Sequence, residues 1–229
     1  MEIIFTNVRE ISDYYPPKPA TESLPEWYKN LSSYSSLGKV PSGKDYPSTT
    51  ATAKRCMPMF DAITAGYILY TPVDVHITQE NGRPYYSWAA GNIIDFHPGD
   101  QAGEHPAANG FDYPKWNNPW SIKTPKGYSV LITAPMHRES VFTILDGIVD
   151  TDTFTRPVNF PFTLNDTKYE GMIPAGTPMA QIIPFKREKW EMKIGGEKEI
   201  KKAEKDNLAI MSKFFDAYKT LFREAKEYK

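Results

Sequence analysis

Between Gly127 and Phe185 the chain breaks into short β-rich runs divided by turns, and this constrains its fold more than any other feature. GYSVLIT (Gly127–Thr133) is followed by DGIVDTD (Asp146–Asp152), PVNFPFTL (Pro157–Leu164) and IPAGTPMAQIIPF (Ile173–Phe185). Val158, Phe160, Phe162 and Leu164 alternate with other residues, as a half-buried strand requires. Trp190, Met192 and Ile194 alternate in the same way. Further upstream, Val73, Val75 and Ile77 interleave with Asp74, His76 and Thr78. Asn81-Gly82 then marks a hairpin turn, with Tyr85, Tyr86 and Trp88 on the returning strand and another strand expected over 93–96. Strands at this spacing predict a mainly β chain with an antiparallel sandwich-like core.

The ends of the chain read differently. Ile3–Phe5 predicts a short strand, and Pro16, Pro17 and Pro19 then exclude regular structure. Ser23 is placed to cap a short helix with Pro25 in its first turn, pinned by Trp27, Tyr28 and Leu31. Residues 32–52 read as loop, and 58–64 as a helical turn. Residues 97–119 form a long insertion rich in Gly, Pro, Asn and aromatics, and loops of that length are commonly functional or interface-forming. From Met211, apolar residues Phe214, Phe215, Tyr218, Leu221, Phe222 and Ala225 recur at spacings of three and four, predicting an amphipathic C-terminal helix of some six turns. The expected organisation is therefore an N-terminal arm with short helices over 1–64, a β core over 65–194 and a C-terminal helix over 195–229.

Composition narrows the function classes. With 27 Lys and Arg against 28 Asp and Glu in 229 residues, the net charge is -1. No global field then favours double-stranded nucleic acid or an anionic membrane. One cysteine excludes an intrachain disulfide and a cysteine-based zinc cage. The N-terminus lacks the pattern of a secretory signal, and no apolar run is long enough to span a bilayer. A cytoplasmic location follows as the expectation: host cytoplasm, or virion if the chain is viral.

Asp150 and Asp152 are the leading candidates for chemistry. On extended chain, residues two apart point the same way, so both carboxylates can meet a cation or a water. They can equally cap a turn. His97, Glu104, His105 and His137, with Asp95 and Asp100, contain the makings of a two-histidine, one-carboxylate metal site, although loop histidines are more often simply solvated. Phe111, Tyr113, Trp116 and Trp120 form an aromatic cluster that can stack on a base, plug a sheet or anchor an interface.

Three of these segments resemble the motifs of the trimeric dUTPases, in the same order. Ala65-Gly66-Tyr67-Ile68-Leu69 resembles their Ala-Gly-x-Asp-Leu, with Ile68 at the position of the Asp. Gly147 to Asp152 resembles the third motif and Gly176 to Gln181 the fourth. The resemblance implies a β-clip fold and a homo-oligomer with shared sites. It also implies a nucleotide substrate and magnesium carried on its phosphates, if the chain is a hydrolase. It would make Asp150, with Asp152 beside it, the water-activating carboxylate and put Gln181 near phosphate. Phe154, one place later than the motif's aromatic, would face the sugar. Arg138, in His137-Arg138-Glu139-Ser140, is the nearest counterpart of the Arg-Ser-Ser phosphate motif. A second resemblance runs through PEWY (Pro25–Tyr28), NPWSIKTPKGYS (Asn118–Ser129), VDTDTF (Val149–Phe154) and GTPMAQIIPFKRE (Gly176–Glu188). These segments resemble an uncharacterised family found in phages and bacteria, with no assigned activity. Two functions stay open: a nucleotide-binding β-clip domain of pyrophosphohydrolase ancestry, and a non-catalytic phage assembly or interaction protein on the same scaffold.

Overall fold

The computed structural model describes residues 1–9, 15–36, 51–89, 91–105, 112–213 and 216–229. Phe111, Phe214, Phe215 and most of the predicted loop over 32–52 lie outside the described residues. The chain divides into two compact units. One comprises residues 1–23, 65–187 and Tyr228; the other comprises residues 24–64, 188–227 and Lys229.

The first unit is antiparallel β structure. Its strands are β1 (Ile4–Asn7), β2 (Lys18–Pro19), β3 (Tyr67–Tyr70), β4 (Val75–Glu80), β5 (Arg83–Ser87), β6 (Ile94–His97), β7 (Tyr113–Trp116), β8 (Trp120–Lys123), β9 (Tyr128–Thr133), β10 (Phe142–Ile144), β11 (Gly147–Val149), β12 (Phe160–Leu164), β13 (Gly171–Ile173) and β14 (Pro178–Lys186). They form sheets in the orders β11-β9-β14-β3-β2, β10-β12-β7-β6, β13-β4-β5 and β1-β8. The mainly β prediction holds, with helix at the C-terminal end of the chain.

Alternation sets which face each strand buries. Phe160, Phe162 and Leu164 on β12 point inward, and Trp116 stacks on Phe162 at 5.0 Å with Phe142 at 5.3 Å from both rings. Ile77, Leu69, Ile132 and Ile182 extend the same core. A fully buried side chain of this kind contributes about 1.5–3 kcal/mol. Asn81 and Gly82 turn β4 into β5 with φ of 51° and 74°, the left-handed pair that a two-residue hairpin requires. Strand β7 lies inside the stretch read as a loop insertion. It pairs with both β6 and β12, so its aromatics plug the core: Tyr113 and Trp116 are buried. Proline in Tyr-Pro-Lys-Trp hid it, because a proline normally argues against an interior strand.

The second unit carries the helices α1 (Glu26–Asn30), α2 (Met57–Thr64), α3 (Glu197–Ser212) and α4 (Ala217–Leu221). Tyr28 on α1 is buried, stacks on Phe60 of α2 and exchanges hydrogen bonds with Lys54. Ser23 does not cap α1; the N-cap is Pro25, which makes no side-chain bond. Asp61 on α2 receives Arg223 at 2.8 Å and Lys226 at 3.0 Å, fastening the segment after α4. The predicted single C-terminal helix is two. Helix α3 starts at Glu197, where the Gly196 N–H donates to Glu199 Oε2 at 2.9 Å, and it ends at Ser212; Asp216, with φ of 55°, precedes α4. Trp190, Met192 and Ile194, expected as a strand, are exposed and pair with no strand among the described residues. Among the described residues no helix is long and apolar enough to cross a membrane.

Candidate functional site

The five-stranded sheet assembles the acidic turn. Val149 on β11 pairs with Val130 on β9, and Ser129 on β9 pairs with Phe185 on β14. Asp150 therefore leaves β11 beside Ser129, while Arg187 leaves β14 beside Gly127 and donates its backbone N–H to that carbonyl at 2.8 Å. The turn closes on itself, since the Thr153 and Phe154 N–H groups both donate to the Asp150 carbonyl. Thr151 is buried, and its Oγ1 lies 2.8 Å from Thr124 Oγ1.

Both carboxylates meet one guanidinium. Arg187 Nη1 and Nη2 donate to Asp152 Oδ1 and Oδ2 at 2.9 and 2.5 Å, a two-pronged pair of the strong, geometrically specific kind. The Gly127 N–H adds a third bond, to Asp152 Oδ2 at 2.8 Å. Asp152's side chain is only 3% exposed. Arg187, followed by the Gly127 N–H, pulls its carboxyl down to about 2. Asp150 differs, with 62% of its side chain exposed. Its Oδ1 accepts from Ser129 Oγ at 2.6 Å and lies 3.0 Å from Arg187 Nη1. The Ser129 bond and then Arg187 lower its pKa, against a smaller upward push from Asp152. Sequence reasoning missed Arg187. The available signal was a cation two places after the apolar run ending at Phe185, where the chain leaves β14.

The other predicted site residues are engaged elsewhere. Gln181 is fully buried on β14; its Nε2 donates to the Ala65 carbonyl at 2.7 Å and its Oε1 accepts the Met136 N–H at 2.9 Å. The first of these bonds joins the first and fourth motif segments, and Gly66 lies against Ile182 beside it. Arg138 donates to the Ser23 carbonyl, and burial pushes its pKa down. Phe154 is half exposed beyond the turn. The structure thus brings Asp150 and Asp152 together through Arg187, while Gln181 and Arg138 hold backbone carbonyls.

Among the described residues no three His, Cys, Asp or Glu side chains gather as metal ligands. Asp95 pairs instead with Lys115 at 3.1 Å. A cleft of about 190 Å³ lies apart from these residues, lined by Arg83, Tyr86, Phe96, Asp112, Thr163 and Leu164 among others. The acidic turn has the chemistry and the cleft has the space.

No family model matches the chain, and no curated protein sequence matches it. Among solved structures it is similar to a mutant dUTPase from phage phi11 of S. aureus, described with a structural Mg(II) ion: 11% identity, 86% of this chain and 98% of that one, TM-score 0.38. It is similar to a Staphylococcus bacteriophage 80alpha dUTPase mutant with dUpNHpp at 10% identity, covering 86% and 89%, TM-score 0.37. It is also similar to the native EIAV dUTPase at 15% identity, covering 58% and 84%, TM-score 0.31.

Proposed function

We propose that this chain is a non-catalytic assembly or interaction protein whose β unit serves as a scaffold. One observation carries the reading: Arg187 clasps Asp152 through both oxygens and also contacts Asp150. A general base works best with a pKa near the working pH, and both carboxyls are held well below it. A guanidinium already lying between the two carboxylates also leaves no seat for a divalent cation there. The turn then acts as a clasp that ties β11, β9 and the exit of β14 together.

A second reading rests on the exposure of Asp150, whose carboxylate is largely open to solvent beside the clasp. In it Asp150 orients a water against a bound nucleotide, with Asp152, Gln181, Arg138 and Phe154 around the ligand. Magnesium would arrive on the phosphates. One experiment separates the two: melting of the purified protein with deoxynucleoside and ribonucleoside triphosphates and magnesium, paired with a phosphate-release assay. A ligand at a hundred times its dissociation constant adds about 2.7 kcal/mol, readily seen as a melting shift. The scaffold reading expects no shift and no release. A shift with one nucleotide that disappears in Asp150→Ala would overturn it.

A further inference from the structure

The segment following β14 carries a strand pattern with no strand partner among the described residues. Trp190, Met192 and Ile194 are 87%, 88% and 94% exposed. Lys193 Nζ lies 3.4 Å from Glu191 Oε2, so these two side chains meet, as they do on one side of a strand. The three apolar side chains therefore share the opposite side. An apolar row of this size in water marks an interface. Gly195-Gly196 ends the row, and α3 starts immediately after it, with the Gly196 N–H donating to Glu199.

We propose that this segment pairs with itself in a second copy of the chain, as an antiparallel two-stranded ribbon centred on Met192. In a two-fold contact, residue i meets residue j and j meets i. Centring on Met192 sets Met192 against Met192 and Trp190 against Ile194 on the apolar side. On the polar side it sets Glu191 against Lys193 twice. Opposite charges directly across an antiparallel pair stabilise it and like charges destabilise it. Sliding the pair by one step, with the apolar sides kept together, sets Glu191 against Glu191 or Lys193 against Lys193. In-register parallel pairing makes both errors at once. The charge pattern thus selects one orientation and one register.

A stable interface needs about 800 Å² from each partner, more than a five-residue ribbon provides. Helix α3 adjoins the ribbon and buries none of its residues. It carries exposed Ile200, Leu208 and Met211, whose spacings of eight and three place them on one face. This inference concerns a different part of the chain from the acidic turn and holds whether or not that turn is catalytic.

The test is sedimentation of the full chain through a dilution series, with charge reversals. The parent is expected to dimerise. Glu191→Lys or Lys193→Glu alone creates two like-charge pairs and is expected to weaken the dimer about tenfold or more. The double reversal restores complementarity and recovers it. In a Cys56→Ser background, Met192→Cys is expected to form a covalent dimer on oxidation, because residues opposite each other have Cα atoms about 4.5–5.5 Å apart. Trp190→Cys is expected not to, since the two copies of residue 190 lie roughly 14 Å apart along the ribbon. A monomer at every concentration, an assembly indifferent to the single reversals, failure of the double reversal to recover it, or equal cross-linking at 190 and 192 would each overturn the proposal.

Discussion

Replacing Gln181 by Met separates a buttress from a ligand contact. Methionine nearly conserves the volume, so packing changes little. What is lost is both hydrogen bonds: the Met136 N–H loses its acceptor and the Ala65 carbonyl loses its donor. A buried backbone group left without a partner costs about 1–3 kcal/mol. Met136 and Ala65 are only partly buried, which holds each cost to the lower part of that range. The sum is about 2–4 kcal/mol. For a unit of this size each kcal/mol moves the melting temperature by about 2–4 °C, giving a fall of about 5–15 °C. Gln181→Glu is expected to fall as well, because an ionised carboxylate can accept from Met136 but cannot donate to Ala65. Thermal melts of the purified variants without any ligand provide the assay. A melting temperature unchanged in Gln181→Met, together with loss of binding to a nucleotide, would refute the structural role.

Three further outcomes follow from the same geometry. Asp152 titrates near 2 in the folded chain, below its ordinary 3.8, so the clasp's contribution is complete above about pH 4 and is lost as the pH falls toward 2. Urea unfolding from pH 5 to pH 2 is expected to show a steeper loss of stability in the parent than in Asp152→Asn, and equal slopes would contradict this. Gly66→Ala places a Cβ 1.9 Å from the Ile182 carbonyl oxygen at a φ of 68°. It is expected to cost about 2–5 kcal/mol by denaturant unfolding. Asp61→Asn removes the carboxylate that Arg223 and Lys226 share. It is expected to speed hydrogen exchange and proteolysis after residue 216, and protection equal to the parent's would count against that anchor.

What the sequence made legible was local. Alternation at Phe160, Phe162 and Leu164 identified a core strand because burial of one face leaves a period of two. Asn81-Gly82 identified a hairpin because few other residue pairs tolerate two positive φ values. The candidate site was legible only in part. The two aspartates on one turn stand out, but their cation comes 35 residues after Asp152 and meets them only through the β9–β14 register. Gln181 reads as a surface ligand on a Gly-Thr-Pro turn, yet β14 carries it into the core, where two backbone groups need it. Helix was expected over 195–229 as one element; its division into α3 and α4 was not legible, because the spacing of Met211, Tyr218, Leu221 and Phe222 carries no sign of the left-handed Asp216. Helix α3 starts where Glu199 reaches back to accept the Gly196 N–H, a contact that apolar spacing does not show. The alternation at Trp190, Met192 and Ile194 predicted a strand of the core, but the segment is exposed and forms none, because alternation alone supplies no pairing edge.

The clasp is tested most directly by carbon-detected NMR titration of the aspartate carboxyls. Asp152 is expected to titrate at about 2, and Arg187→Gln to return it toward its ordinary 3.8. An Asp152 that titrates at or above 3.8 in the parent, or is unmoved by Arg187→Gln, would contradict it.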